Sequence, residues 1–169
     1  MGADTLVAAI TRNLEEDDFE IGQAEVGSQH VVFGRRARFH WTLTRLHIFV
    51  FFLELANVDE PSGEQLVSAA REYAIANKPG LPSGWQTGVA TIPVMISQVD
   101  AEQAKTWARR KRSQARWATL DFPVVIELPT DEVAYRTDTP LWGFAYFPLL
   151  RRVVARDIAV PAAAKQGRR

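Results

Sequence analysis

Residues 46–56 read LHIFVFFLELA, which is the most apolar run in the chain. In a β-strand, alternate side chains point to opposite faces, and from Leu46 onward both sets are apolar. An antiparallel sheet with one face in water would alternate apolar and polar residues, so this run requires cover on both faces. It is also only about half of the roughly 20 residues that a membrane-spanning helix needs. We therefore predict a buried, central strand within residues 38–55, covered by helices or by another subunit.

The chain before this strand shows two different periodicities. Apolar residues at helical spacing predict a helix from Asp4, as its N-cap, to about Glu15. Two short strands, 19–26 and 29–34, then follow around a glycine. The segment GRRA, residues 34–37, predicts a turn into the long strand, which gives a three-stranded meander.

The chain after this strand alternates between helices and strands. Ser62 and Gln65 form a capping-box pattern that predicts a helix ending at Asn77. A β-branched run from 87 to 97 predicts a strand, and Pro93 suggests that it is an edge strand or contains a bulge.

The last third predicts a helix, a hairpin and a final helix. Asp100 and Gln103 repeat the capping pattern and predict a helix that runs toward Arg116. Two short strands around residues 129–131 form a hairpin. An aromatic strand then leads into a helix at Pro148, since proline is favoured in the first helical turn.

This element order predicts an α+β fold. The order αβββ-αβ-αββ(β)α favours a largely antiparallel, twisted sheet of about six or seven strands, packed with about three or four helices. The length of 169 residues fits one domain, which we place at residues 1–160. Residues 161–169 have the composition of a disordered C-terminal tail.

Composition and charge exclude several classes of function. The chain has no cysteine, which removes disulfides and thiolate chemistry, and its 20 basic residues balance 20 acidic ones. Without a net charge, no overall field attracts nucleic acid or an anionic membrane. The N-terminus lacks the features of a secretory signal, so we predict a cytoplasmic protein. The three histidines do not converge in the predicted sheet, and we predict neither a metal site nor a cofactor.

Arg45 and His47 are the most interesting candidates for a ligand site, because this polar pair comes immediately before a doubly apolar stretch. Such a pair requires partners, and Glu54, Asp121 or Glu127 could supply them. If the pair opens onto a cleft with aromatic walls, it could bind an anionic small molecule or serve an enzyme. The candidate ligand-binding residues are Arg45, His47, Trp85, Gln86, Tyr146 and Arg151.

The segment KTWARRKRSQAR, residues 105–116, is the strongest charge feature. At helical spacing it predicts a basic face formed by Lys105, Arg109, Arg112 and Arg116. Such a face could neutralise phosphates, although a solvated outer face is also what an amphipathic helix normally shows.

The sequence favours a non-catalytic interaction domain. No catalytic triad or phosphate-loop pattern is present, so we do not expect an enzyme. The doubly apolar strand and the aromatic content suggest more apolar surface than three or four helices cover, which predicts self-association, such as a homodimer, or another protein partner. Two alternatives stay open: a small-molecule cleft for an anionic ligand, and nucleic-acid binding through the basic helix.

Overall fold

A computed structural model describes residues 2–39, 45–56, 59–80, 87–111, 118–138 and 145–159. Its strands are β1 (Glu20–Val26), β2 (Gln29–Phe39), β3 (Arg45–Glu54), β4 (Thr87–Ser97), β5 (Thr119–Asp121), β6 (Val124–Glu127) and β7 (Glu132–Tyr135). Its α-helices are α1 (Ala3–Glu16), α2 (Glu60–Asn77), α3 (Glu102–Arg110) and α4 (Phe147–Val153), and a π-helical segment follows at Val154–Ala159. The predicted α+β class, the single domain and the approximate element order are confirmed. The predicted tail at 161–169 lies outside the described residues.

The seven strands form one mixed sheet. Its order is β1-β2-β3-β4-β6-β7, and the short β5 also pairs with β4. The β1–β2, β2–β3 and β6–β7 pairings are antiparallel. The three pairings of β4 are parallel, because α2 and α3 each carry the chain back across the sheet before the next strand begins.

The predicted burial of β3 on both faces is confirmed. Leu46, Ile48, Val50 and Phe52 point into one apolar cluster, with α1, α4 and the π-helical segment. Phe49, Phe51 and Leu53 point into a second cluster, with α2 and α3. The chain's own helices therefore cover both faces of the strand.

The predicted turn at residues 34–37 is wrong. β2 continues through this segment and pairs with β3 up to Phe39, which lies opposite Arg45. In this segment Arg35 pairs with Glu20 at the start of β1. Arg36 is buried and forms an ion pair with Asp17 at the end of α1.

The placement of Pro93 at an edge or a bulge is also wrong, because β4 has strands on both sides. The backbone amide of Phe122 donates to the carbonyl of Thr91 (2.8 Å), so the nitrogen of Pro93, two residues on, faces that same flank. On this flank β5 ends at Asp121 and β6 begins only at Val124. Pro93 lies opposite the break, where the ladder needs no donor.

Two helix starts differ from the prediction. Asp4 lies in the first turn of α1, which begins one residue earlier. Helix α2 begins at Glu60, and its N-cap is Asp59, whose Oδ1 accepts the amide N–H of Ser62 (2.9 Å). The earlier start is possible because a proline in the first turn loses no helical hydrogen bond.

Helix α3 is shorter than predicted. It begins at Glu102, where Asp100 accepts the backbone N–H (3.0 Å), and it ends at Arg110. Residues 112–117 lie outside the described part of the chain. Among the helices that are described, none is both long and apolar enough to cross a membrane.

Candidate functional site

A cleft of about 460 Å³ lies along the outer side of β2. Strand β1 begins at Glu20, opposite Arg35, so within the described residues no strand covers the outer side of positions 36–39. The segment after α2 approaches the same place. The cleft is lined by Asp18, Glu20, Arg35, Arg36, Ala37, Arg38, Arg45, His47 and Pro79.

His47 is the most unusual group in this cleft. Its side chain is only 1% exposed, and neither Nδ1 nor Nε2 has a hydrogen-bond partner among the described residues. Buried polar atoms normally have partners, and leaving one unpaired costs about 1–3 kcal/mol. His47 lines the cleft opposite Ala37 of β2, which presents only a methyl group.

The charges around His47 are mostly positive. Burial lowers the pKa of His47, and the positive charges of Arg45, Lys78 and Arg35 lower it further. The imidazole is therefore neutral near pH 7, with one N–H donor and one acceptor nitrogen. This neutral imidazole lies among cations and has no described hydrogen-bond partner, so a bound anion would stabilise the site.

Several of the cleft arginines already have carboxylate partners. Arg35 donates to Glu20 (2.5 Å), which lowers the pKa of that glutamate. Arg36 pairs with Asp17, and burial of Asp17 opposes its ionisation, but the bonds from Arg36 and Arg156 outweigh burial and lower its pKa. These pairs hold the arginines in place, and ligand oxygens could share their remaining N–H donors.

The partners predicted for Arg45 and His47 lie elsewhere. Asp121 accepts from the hydroxyl of Thr91 (2.9 Å), and its Oδ2 lies 3.3 Å from Nε of Arg71. Glu127 pairs with the ammonium of Lys105 (3.1 Å). Glu54 is the last residue of β3, at the other end of the strand from Arg45. None of these carboxylates bonds to His47.

The structure brings together only part of the predicted ligand-binding set. Arg45 and His47 both line the cleft. Tyr146 packs against the cluster on the opposite face of the sheet from His47, and Arg151 donates to the carbonyl of Thr137 on the α4 side. Trp85 and Gln86 lie outside the described residues.

The two described residues of the predicted basic face on α3, Lys105 and Arg109, both pair with carboxylates. Lys105 is buried, and its Nζ lies 3.0 Å from Glu102 and 2.5 Å from Glu132. Arg109 is exposed but also pairs with Glu132. Arg112 and Arg116 lie outside the described residues.

Sequence reasoning missed Asp18, Glu20 and Lys78 as parts of the site. They come from two segments, residues 18–20 and the residue after α2, and no spacing in the sequence relates them to His47. The signal for the cleft was nevertheless present in residues 35–38, since three arginines in one strand require a polar surface beside them. Reading this segment as a turn concealed that signal.

Other observations do not add a cofactor or a relative. Among the described residues, no group of three or more His, Asp or Glu side chains is arranged to hold a metal ion. Comparisons with protein-family models, with curated proteins and with solved structures find no match to this chain. The fold and the cleft therefore carry the functional argument alone.

Proposed function

We propose that this domain binds a small anionic ligand in the cleft at His47. The observation that carries the proposal is the buried imidazole of His47, which has no hydrogen-bond partner in the described part of the chain and feels the positive charges of Arg45, Lys78 and Arg35. An anion would accept hydrogen bonds from the imidazole and the guanidinium groups, and its charge would offset the repulsion between the cations. The proposal is for binding and includes no chemical step.

Sulfate is the probe that tests this proposal. We expect calorimetry at low ionic strength to show sulfate binding, and the affinity to fall as the salt concentration rises. Replacing Arg45, which is exposed at the start of β3, with alanine should weaken binding about tenfold or more, because hydrogen bonds to charged groups contribute about 1.5–3 kcal/mol.

The control is Arg152→Ala, which removes an exposed arginine from α4 on the other side of the sheet. Its sulfate affinity should equal that of the unmodified protein. If sulfate does not bind at millimolar concentration, or if both variants lose the same affinity, the cleft is not an anion site.

Self-association is a second candidate function. Strand β1 lies at one end of the strand order, so its outer edge has no strand partner in the described part of the chain. Sheet edges are often protected by proline or lysine, and the β1 sequence EIGQAEV contains neither. A second copy of the chain could extend the sheet at this edge.

Two further expectations stay predictions. Nucleic-acid binding through α3 would depend on Arg109 and on residues beyond the described end of the helix, because carboxylates already neutralise Lys105. A cytoplasmic location is the other, and the absence of cysteine is compatible with a reducing compartment.

A further inference from the structure

The cleft at His47 has a definite balance of charge. Four arginines, Asp18 and Glu20 line it, and the charge of Lys78 acts on the imidazole. Asp17 forms an ion pair with Arg36, so these five cations and three carboxylates leave a net charge of +2 when His47 is neutral. A ligand with two negative charges would neutralise this lining, whereas a singly charged ligand would leave it positive.

The second relevant feature is the pair of His47 nitrogens, neither of which has a partner within the described ranges. In the neutral ring only one nitrogen can donate a hydrogen bond, while both donate in the imidazolium form. The imidazolium form is unfavourable in the protein alone, because the ring is buried beside cations. A doubly negative group in contact with the ring reverses this balance, since a nearby opposite charge favours the protonated form.

We infer that the ligand presents a doubly charged oxyanion group to the cleft, and that His47 takes up a proton when the ligand binds. This inference rests on the proposed anion-binding function and adds the ligand's charge class and its coupling to pH. The proton comes from solvent and forms a bond to a ring nitrogen of His47, so the imidazole becomes an imidazolium beside the oxyanion. A phosphate monoester, which is doubly charged above its second pKa of about 6, has the required charge.

Several ionisable groups among the described residues act on the ring. Arg45 lies on the same strand, Arg35 on β2, and Lys78 follows α2, and all three disfavour protonation of His47. The carboxylates of Asp18 and Glu20 line the cleft, but Glu20 is already paired with Arg35. On the β4 side, Thr87 and Val89 lie opposite Arg45 and His47 and do not ionise. The ligand is therefore the group that changes the balance.

The direction of the pH dependence follows from linkage. The pKa of His47 lies below its usual value of about 6.5 in the protein alone and rises when the oxyanion binds. Between these two values, ligand affinity should increase as the pH falls, by up to about tenfold per pH unit. Above the higher value and below the lower value, affinity should not change with pH.

Sulfate separates the protein's titration from that of the ligand, because it stays doubly charged between about pH 5 and pH 8. We expect sulfate affinity to rise as the pH is lowered across this range, and His47→Gln to abolish the rise. His30→Gln, which replaces an exposed histidine on β2, should leave the rise unchanged. Nitrate, with one negative charge, should bind at least about tenfold more weakly than sulfate.

A measurement on the unmodified protein covers the case in which His47→Gln does not fold. Calorimetry of sulfate binding in buffers with different ionisation enthalpies should report the uptake of up to one proton per sulfate. Sulfate binding without proton uptake would overturn the coupling and leave the anion-binding function standing. Nitrate binding as tight as sulfate would overturn the double charge, and no binding of either anion would remove the function itself.

Discussion

Gly63 and Trp107 form a close contact between α2 and α3. A Cβ atom built on Gly63 would lie 2.8 Å from Cζ3 of the indole ring, which is closer than carbon atoms can approach. Trp107 is buried, and its Nε1 donates to Glu64 on α2 (3.0 Å), so the ring cannot move away freely. The absence of a side chain at Gly63 is thus what lets the two helices pack.

We predict that Gly63→Ala destabilises the protein by about 1–3 kcal/mol, as overpacking does in other cores. This sign is opposite to the helix-propensity effect, which favours alanine by up to about 1 kcal/mol. Urea denaturation measures the change. In a Trp107→Phe background, which lacks the outer indole atoms, the same substitution should cost less. A stabilised Gly63→Ala protein would contradict the contact.

At the residue scale, the sequence predicted part of the site. Arg45 and His47 were identifiable because they interrupt an apolar run, and a polar pair there requires a physical reason. The positive charges near His47 could not be predicted, because Lys78 and Arg35 come close to it only when the chain is folded. The alternation of side chains along a strand predicts which face of the sheet a residue is on, but not which residues of other elements lie next to it.

Lys105 connects two elements, helix α3 and the β6–β7 hairpin. Its Nζ lies 3.1 Å from the buried Glu127 and 2.5 Å from Glu132. Burial opposes the charge of Lys105, but the three surrounding carboxylates outweigh it and raise the pKa of the lysine. Replacing this lysine would leave the carboxylate of Glu127 buried without its cation.

We predict that Lys105→Met lowers the free energy of unfolding by about 3 kcal/mol, because an uncompensated buried charge is costly. Arg109→Ala removes an exposed arginine from the same cluster and should cost less than about 1 kcal/mol. Denaturant unfolding of both variants at neutral pH makes the comparison. Equal losses would indicate that Lys105 contributes no more than a surface ion pair.

The same cluster predicts a pH dependence of stability. The hydroxyl of Thr130, the amide of Ala101 and the ammonium of Lys105 together lower the pKa of Glu127. A lowered carboxyl pKa contributes stability above the unfolded pKa of about 4.3, and that stability disappears as the pH falls through the folded value. The difference in free energy of unfolding between the unmodified protein and Lys105→Met should therefore become smaller at acidic pH.

At the element scale, periodicity predicted strands and helices better than it predicted their ends. The burial of β3 followed from its composition, because a strand with apolar residues on both faces is covered on both faces. The end of β2 did not follow, because Gly34 and three nearby arginines resemble a turn until Arg36 is seen to pair with Asp17. Local sequence cannot supply a partner that is 19 residues away in the chain.

At the scale of the whole molecule, the fold class was predictable and the position of the cleft was not. The order of helices and strands indicated an α+β domain. The outer side of residues 36–39 is uncovered because β1 begins at Glu20, opposite Arg35, and does not extend beside the end of β2. That offset depends on the strand register. The cleft thus depends on how two strands end, and not on a motif.

The covered faces of β3 also change the reason for expecting self-association. Apolar surface on the central strand provides no driving force for it, since α1, α2, α3 and α4 already bury both faces. The outer edge of β1 remains, since no described strand pairs with it, and an edge strand presents backbone donors and acceptors to another strand. Association through this edge would join two sheets, and Gln23 would lie near the middle of the contact.

We predict that Gln23→Glu weakens self-association, because it adds a third negative charge to β1 beside Glu20 and Glu25, and two copies of the edge would repel. Light scattering after size exclusion, at a protein concentration of about 100 μM or more, measures the mass. Gln65→Glu makes the same change at an exposed position of α2 and should leave the mass unchanged. A monomer at every concentration would rule out the edge as an interface between copies. A dimer equally sensitive to both substitutions would locate the interface elsewhere.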